Sequence, residues 1–520
     1  MASGAAQELQ LVIVHGTLTR ALILFLVPLL LLLLIRRCLL SLASSTSTSS
    51  PSPPGKLPVI GHLLHLVGSN KPPHVSLRDL AVAHGRDGVL VLQLGAVATV
   101  VVSSPSATEG VLRTQDHVLA SRPWSPVADI IFYGLTDVAF APYGEHWRQA
   151  RKLITTHMLS ARKVHSFRHG RHQEVRIVVD KIRCAASSMV DMSEVLGAYT
   201  NDVVCRAVLG DSHREKGRNK LLRELIEINV SLLGGFNLED YFPSLAKVEL
   251  LRKIICAKAN KVSKRWDQLF DKLIDEHQQE ASSLSHSHHD EGTADFIHVL
   301  LRVQKEYGLT RDSIKAILLD MFEAGIETSY LVLQHAMAEL MVNKHVMTKL
   351  QTEVRTCTKS DMVTEEDLNN MSYLKAVVKE TLRLHPAVPL LVPHLSTADC
   401  EINGYSIPSG TRVIVNAWAL ARDPTLWQRA EEFMPERFLE GGPEAAVDMK
   451  GKDYQFVPFG SGRRICPGMN FGIATVEIML ANLMYHFDWE LPIGGAVDMT
   501  ELFGLSLRRK EKLILVPKIH

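Results

Sequence analysis

The sequence predicts a mainly α-helical protein with a small β-rich region, preceded by one N-terminal transmembrane helix. Three observations carry this. An unbroken apolar run, ALILFLVPLLLLLLI, occupies residues 21–35. A helical pattern long enough for about nine turns covers residues 310–343. Strand signals are confined to two short stretches, residues 89–103 and 400–418.

The apolar run falls short of the roughly 20 residues that cross a bilayer, but Arg20, Arg36 and Arg37 can snorkel and lengthen it. A cleaved signal peptide is the competing reading. Its positive charge belongs before the apolar run, whereas Arg36 and Arg37 follow directly, where small residues would mark a cleavage site. Positive-inside bias then puts the rest of the chain in the cytosol. The tract SSTSTSSPSPPGKLP, residues 44–58, cannot form a core, and its four prolines favour an extended, semi-rigid connection. The expected organisation is an anchor at residues 1–41, a Ser/Pro-rich hinge at 42–60 and one body at 61–520.

Within the body, VLVLQLGAVATVVVS at residues 89–103 reads as a β-hairpin turning at Leu94-Gly95-Ala96. The long helix has Thr310 as its cap, before Asp312 and Ser313. Residues 368–385 form another helix, stopped by Pro386 and Pro389. Short strands follow, with Asn403-Gly404 marking a tight turn. At 520 residues the length alone favours several domains, yet no internal repeat divides the chain. A net charge of +1 gives no reason to expect a nucleic-acid partner. Seven scattered cysteines without C-x-x-C pairs argue against a disulfide framework or a zinc site, and for a reducing compartment. His286, His288 and His289 invite a metal reading, but without acidic or cysteine ligands around them they read as a solvated loop.

The most informative stretch is F-G-S-G-R-R-I-C-P-G, residues 459–468. So much glycine around a core cysteine would be an unexplained loss of chain entropy. A thiolate bound to iron needs deprotonation, shielding and hydrogen bonds to sulfur, and glycines let backbone N–H groups approach it. Phe459 could cover the sulfur and Arg464 could meet an anionic group of a large cofactor. An apolar helical run follows Gly468, so Cys466 lies just ahead of a helix N-terminus. A phosphate loop is the alternative, but the third glycine of a dinucleotide fingerprint would fall at Ile465 and no strand pattern precedes it.

The pattern F-x-x-G-x-R-x-C-x-G, filled by Phe459, Gly462, Arg464, Cys466 and Gly468, resembles the haem-binding loop of the cytochrome P450 superfamily. The resemblance implies the P450 fold, haem b held by the Cys466 thiolate as axial iron ligand, and contacts from Phe459, Arg464 and Gly468. Three companions occur in the family's order. Glu380 and Arg383 fill E-x-x-R, and with Arg437 of P-E-R-F they imply a buried triad supporting the loop. A-G-I-E-T-S, residues 324–329, implies a distorted helix beside the haem, with Thr328 and Glu327 steering protons to oxygen. Read without the family, Thr328 is a helix back-bonder and Glu327 a surface carboxylate. Trp147 and Arg151 are similar to W-x-x-x-R, implying contact with a haem propionate; His394 stands where many plant relatives carry arginine, and could donate a hydrogen bond there.

The implied reaction inserts one oxygen atom of O2 into substrate. No complete nicotinamide or flavin fingerprint is visible, so the resemblance implies electrons from NADPH through a separate NADPH–cytochrome P450 reductase, with Lys152 and Arg463 helping to dock it. It also implies a single-pass protein of the endoplasmic reticulum membrane with its body facing the cytosol. A haem-thiolate isomerase or dehydratase would be expected to lack the Thr328 hydroxyl, and a membrane-bound binding protein would not need helix, triad and loop together. Further stretches, among them VHSFRHGR, YTNDVV, GGFNLEDYFP and MLANLMYHFDWE, resemble the grass monooxygenases of benzoxazinoid defence biosynthesis. Those enzymes act on indole, indolin-2-one, 3-hydroxyindolin-2-one and a 2-hydroxy-benzoxazinone. By that likeness the substrate pocket draws on Ile130, Phe322, Ala324, Val388, Leu391, Phe503 and Leu505. Such an apolar wall suits a flat ring and equally a terpene, leaving a terpenoid or other small-aromatic hydroxylase as the alternative.

Overall fold

The computed structural model describes residues 51–68, 71–210, 219–234, 237–283 and 294–520. The expected anchor, the first part of the hinge and His286, His288 and His289 lie outside these residues. Among the described residues no helix is long and apolar enough to cross a membrane.

The hairpin forms as its β-branched pattern requires, with β1 at Val89–Leu94 and β2 at Val97–Val102, joined by Gly95 and Ala96. Two later strands, β3 at His394–Leu395 and β4 at Arg412–Val415, complete a sheet in the order β1-β2-β4-β3, with β2 and β4 parallel. Alternate residues enter different cores. Val89, Val100, Val102, Val413 and Val415 pack on one face, and Leu90, Leu92, Leu94, Val101 and Ile414 on the other. Burial of both faces explains why these strands read as continuous apolar runs rather than alternating ones. The described part of the expected hinge is docked against this sheet. Val91 N–H donates to Pro51 O (2.7 Å), and Gly61 bridges both Leu57 and Leu94. Residues 51–61 thereby cover the outer edge of β1, whose unpaired backbone groups would otherwise face solvent.

Helices make up most of the remaining described body, beside a three-stranded sheet and two further hairpins. Those that build the site are α1 at Glu145–Leu153, α2 at Met192–Leu209, α3 at Arg311–Val342, α4 at Ser372–Leu384 and α5 at Met469–His486. Thr310 caps α3 as expected, its hydroxyl accepting from Ser313 N–H at 3.0 Å. The helix is buried on nearly all sides, packed by α2, α4 and α5, which is why its sequence is apolar around the whole circumference. It runs unbroken through residues 324–329, so the expected distortion is not observed. Close packing accounts for its glycine instead: a Cβ on Gly325 would lie 3.0 Å from Val204 of α2.

The helix expected at residues 368–385 is divided. A 3-10 turn at Asp367–Asn370 ends at Met371, and α4 begins at Ser372. The Glu353 carboxylate accepts the N–H groups of Tyr373 and Leu374, each at 2.8 Å. These are orphan donors of a helix start, satisfied by a residue of another helix and so invisible to local sequence.

At the far end of α4, His385 lies between two carboxylates, Nδ1 donating to Glu501 and Nε2 to Glu339, both at 2.8 Å. Glu501 belongs to a hairpin of β5, Glu501–Phe503, and β6, Leu507–Arg509. His335 stacks on His385 with ring centroids 4.5 Å apart, and burial holds it below its ordinary pKa. Although burial opposes it, the two carboxylates raise the pKa of His385 above 6.5. Its contribution to stability is therefore complete below pH 6.5 and is lost as pH rises through the raised folded value. Thermal inactivation should accelerate on passing from about pH 6 to about pH 9, and His385→Gln should flatten that difference while costing on the order of 3 kcal/mol.

Candidate active site

The loop at residues 459–468 closes on itself through a hydrogen bond from Cys466 N–H to Phe459 O, 2.9 Å. Gly460 and Gly462 have φ of +68° and +64°, the left-handed region that other residues avoid. At Gly462 a side chain is also excluded by space, since its Cβ would lie 2.1 Å from Leu112 O. Asp116 then fixes the next residue, accepting from Arg463 N–H at 3.1 Å and from its Nη1 at 3.0 Å. The thiol of Cys466 reaches a cavity just before α5 begins. Burial pushes the thiol pKa up, while the N–H groups of Gly468 and Met469 and the charge of Arg151 favour the anion.

Ala324 and Thr328 of α3 line this cavity, as do Val388, Leu391, Phe459, His394, Trp147, Arg151 and Arg464. At one end three guanidiniums crowd together. Arg464 donates to Ala120 O, Val138 O and Ala141 O and lies over the Trp147 ring, 4.3 Å from its centroid. Trp147 Nε1 donates to Val138 O, and Arg151 donates to Ile465 O. The third cation, Arg122, had no place in the expected site. It is buried and tied to Ala139 O, Val392 O and Pro393 O. Burial depresses all three pKa values, that of Arg464 to about 10, and like charge adds to this for Arg122 and Arg464. An end of the cavity so short of negative charge fits a group bearing two carboxylates, and the apolar remainder fits a large flat ring. Haem b has both features, and Cys466 supplies the sulfur its iron takes.

His394 is buried with Nδ1 donating to Leu119 O at 2.8 Å. Burial, with Arg122 nearby, lowers its pKa to about 3, so it is neutral at physiological pH and can act there as a hydrogen-bonding group only.

The protein-family profile for cytochrome P450 matches residues 51–516. The chain belongs to the cytochrome P450 family. It is 60% identical to an indolin-2-one monooxygenase of Zea mays, over the full length of both chains. It is 62% identical to a 3-hydroxyindolin-2-one monooxygenase of Zea mays, covering 90% of this chain and 88% of the relative. Among solved structures, a zebra fish cytochrome P450 with progesterone superposes with a TM-score of 0.74 at 25% identity, over 86% of this chain and all of that one. This P450 is thus a haem-dependent monooxygenase with the mainly α fold of its family.

In this P450 the expected triad forms inside the protein. Glu380 accepts from Arg383 at 2.8 and 2.9 Å and from Arg437 Nε at 3.1 Å, and all three side chains are 0% exposed. Glu444, absent from the expected set, balances the second arginine, accepting from Arg437 Nη1 at 3.2 Å. Backbone carbonyls of Ala421, Ala430 and Glu432 take the remaining donors of Arg383.

Other expected residues lie elsewhere. Glu327 turns from the cavity and binds the β5–β6 hairpin, accepting from Arg508 Nε at 2.5 Å and Ser506 Oγ at 3.1 Å. It is neither a surface carboxylate nor a cavity group. Phe322 is fully buried against Phe270, because two residues turn a helix by about 200° from Ala324. Phe503 packs beside His74, while Ile130 and Leu505 pack against the main core; none of the three lines the cavity. Gly468 adjoins the sulfur without lining the cavity, a Cβ there lying 3.8 Å from Sγ.

Proposed function

We propose that this P450 oxygenates a small indole-derived substrate, of the indole, indolin-2-one, 3-hydroxyindolin-2-one or 2-hydroxy-benzoxazinone kind, in benzoxazinoid-type metabolism. The observation that carries this reading is the cavity itself, with one thiol facing an α3 stripe of Ala324 and Thr328 between apolar walls. Kinship with the two maize enzymes names the substrate class.

Bound haem supplies oxygen activation, with electrons from NADPH delivered by a separate reductase. Cys466 would hold the iron and Arg122, Arg151 and Arg464 would receive the haem carboxylates, with Trp147 stacked on Arg464 and His394 beside them as a neutral ring whose Nε2 can only accept. Val388 and Leu391 confine a flat ring. The Thr328 hydroxyl, which donates to Ala324 O at 2.7 Å, stands at the cavity wall and passes its proton toward the reacting oxygen, replacing its loss from water. Back-bonding and proton delivery are compatible, since a hydroxyl can exchange one acceptor for another by rotation. Lys152 and the outer part of Arg463 are exposed and serve an acidic reductase surface. The apolar run at residues 21–35 anchors the protein in the endoplasmic reticulum membrane, its body facing the cytosol.

Thr328→Ala should keep the thiolate spectrum but lower product formation on the order of 10²-fold, with NADPH consumption diverted to hydrogen peroxide. Full coupling in that variant would remove Thr328 from proton delivery. The substrate class is tested with membranes containing this P450 and a plant reductase, given NADPH and each of the four compounds or a diterpene. Mass spectrometry should find one oxygen added to one indole-derived compound. Silence on all four beside an intact carbon-monoxide spectrum would move the substrate to the terpenoid class.

A further inference from the structure

Away from the haem cavity, three metal-ligating side chains meet where two helices end and begin. His277 lies in the last turns of the helix Ala257–Ser283, and Asp295 and His298 lie at the start of the helix Phe296–Val303. One ligand atom of each is within 4.8 Å of the others, and none of the three lines the cavity. Each side chain is already oriented. His277 is buried with Nδ1 donating to Leu273 O at 2.7 Å, so its Nε2 carries the lone pair. Asp295, also buried, caps the second helix: its Oδ1 accepts His298 N–H at 2.9 Å, which leaves Oδ2 to the two imidazoles. His298 Nδ1 donates to Oδ2 at 2.8 Å. His277 Nε2 stands 3.8 Å from the same oxygen, too far for a hydrogen bond and near the ~3.3 Å that separates two ligands of one tetrahedral zinc. Gly210, whose φ of +78° favours glycine, ends α2 beside this oxygen, and a Cβ there would lie only 3.0 Å from it.

We propose that His277, Asp295 and His298 bind one zinc ion, with water completing a tetrahedral set. Zinc takes the place of the proton that His298 Nδ1 shares with Asp295, and that proton leaves to solvent. The set meets what zinc asks of its ligands: two imidazole nitrogens and a carboxylate oxygen, with the other nitrogen of His277 on a backbone carbonyl and the other oxygen of Asp295 on a backbone N–H. The rings of His277 and His298 meet at 63° with centroids 5.0 Å apart, so their in-plane lone pairs can converge. Among the described residues one other trio is as close, His335, His385 and Glu501. Its rings lie within 18° of parallel at 4.5 Å, and stacked rings cannot aim in-plane lone pairs at one ion. Charge and ligand type decide the metal. Lys163, whose ammonium donates to Ala294 O, is a neighbouring cation of Asp295 and disfavours an ion held by charge alone. Nitrogen ligands select zinc over magnesium or calcium. Bound zinc thereby ties the two helices together across the segment that joins them, and its binding energy adds to the stability of the fold.

Haem-loaded full-length protein, stripped with a chelator and re-equilibrated with zinc, magnesium or calcium, tests this without turnover. After gel filtration, elemental mass spectrometry should find about one zinc per chain and neither of the other ions. The zinc form should also keep its Soret band to a higher temperature than the stripped form, because the ion favours the folded state. Asp295→Asn, which still caps its helix, and His298→Gln should lose the zinc and retain haem. Absence of zinc from the native protein, an unchanged melting temperature, or native zinc content in either variant would each overturn the inference. The competing chelators are His286, His288 and His289, which fall between the two helices in sequence. Replacing all three with serine should leave the zinc in place. Its loss there would mean adventitious binding by that tract and would overturn the inference whatever the point variants do. If neither point variant loads haem, zinc-edge X-ray absorption of the triple-serine protein decides instead. Two imidazoles should appear around the ion, and fewer would overturn the site.

Discussion

Replacing Cys466 with alanine is expected to abolish turnover and the thiolate signature of the reduced carbon-monoxide complex together. Five other cysteines lie among the described residues, and none of them lines the cavity, so none of these can replace the lost ligand. The loop itself should survive. Its closure uses the backbone N–H of residue 466, its turns depend on Gly460 and Gly462, and its register is held by Asp116, none of which involves sulfur. Cys466→Ser is therefore the sharper comparison, because it keeps a polar atom of similar size whose far weaker acidity cannot supply a thiolate. Visible spectra and haem content measured on both variants separate loss of the ligand from loss of the fold. A normal thiolate spectrum in either variant would show that Cys466 is not the ligand.

Glu380→Gln should be nearly as damaging, by a different route. The carboxylate sits between two guanidiniums that are 0% exposed, and it also accepts the N–H of Met434 at 2.8 Å. Removing its charge leaves two buried cations facing each other with only Glu444 in compensation. Breaking such a pair costs about 3–5 kcal/mol, a large part of the 5–15 kcal/mol that holds a typical domain together. The expected outcome is a protein that accumulates poorly, loses haem on mild heating and has lowered turnover only in proportion to haem lost. Activity lost at undiminished thermal stability would give Glu380 a part in the chemistry instead of the scaffold. Glu444→Gln, which leaves the central carboxylate in place, should produce the same effects in weaker form.

What could be read in advance followed from how local each interaction is. The cysteine loop was legible because its glycines, arginines and thiol fall within ten residues, and the pairing of Glu380 with Arg383 follows from helix periodicity. Arg122 was missed because its partners are backbone carbonyls, which leave no mark on residue type, and Glu444 because the irregular turn that brings it back to Arg437 has no sequence periodicity. Phe322 was misplaced for a reason the sequence does contain. Helical phase separates it from Ala324 and turns it into the core. Likewise Gly325 is explained by its contact with α2 rather than by anything on the haem side. Loop residues Ile130, Phe503 and Leu505 had no periodicity to decide which way they face.

The parallel pairing of β2 with β4 ties the start of the body to a strand synthesised roughly 300 residues later. At elongation speeds of about 5–20 residues per second, the nascent hairpin waits on the order of 15–60 s before its partner emerges. A hairpin closes in microseconds, so throughout that interval VATVVV is already a strand with one open, apolar edge. Yield in a foreign host is therefore governed by this interval. Slower translation lengthens it, and the open edge is then a template for pairing with other nascent copies, whatever the stability of the finished enzyme.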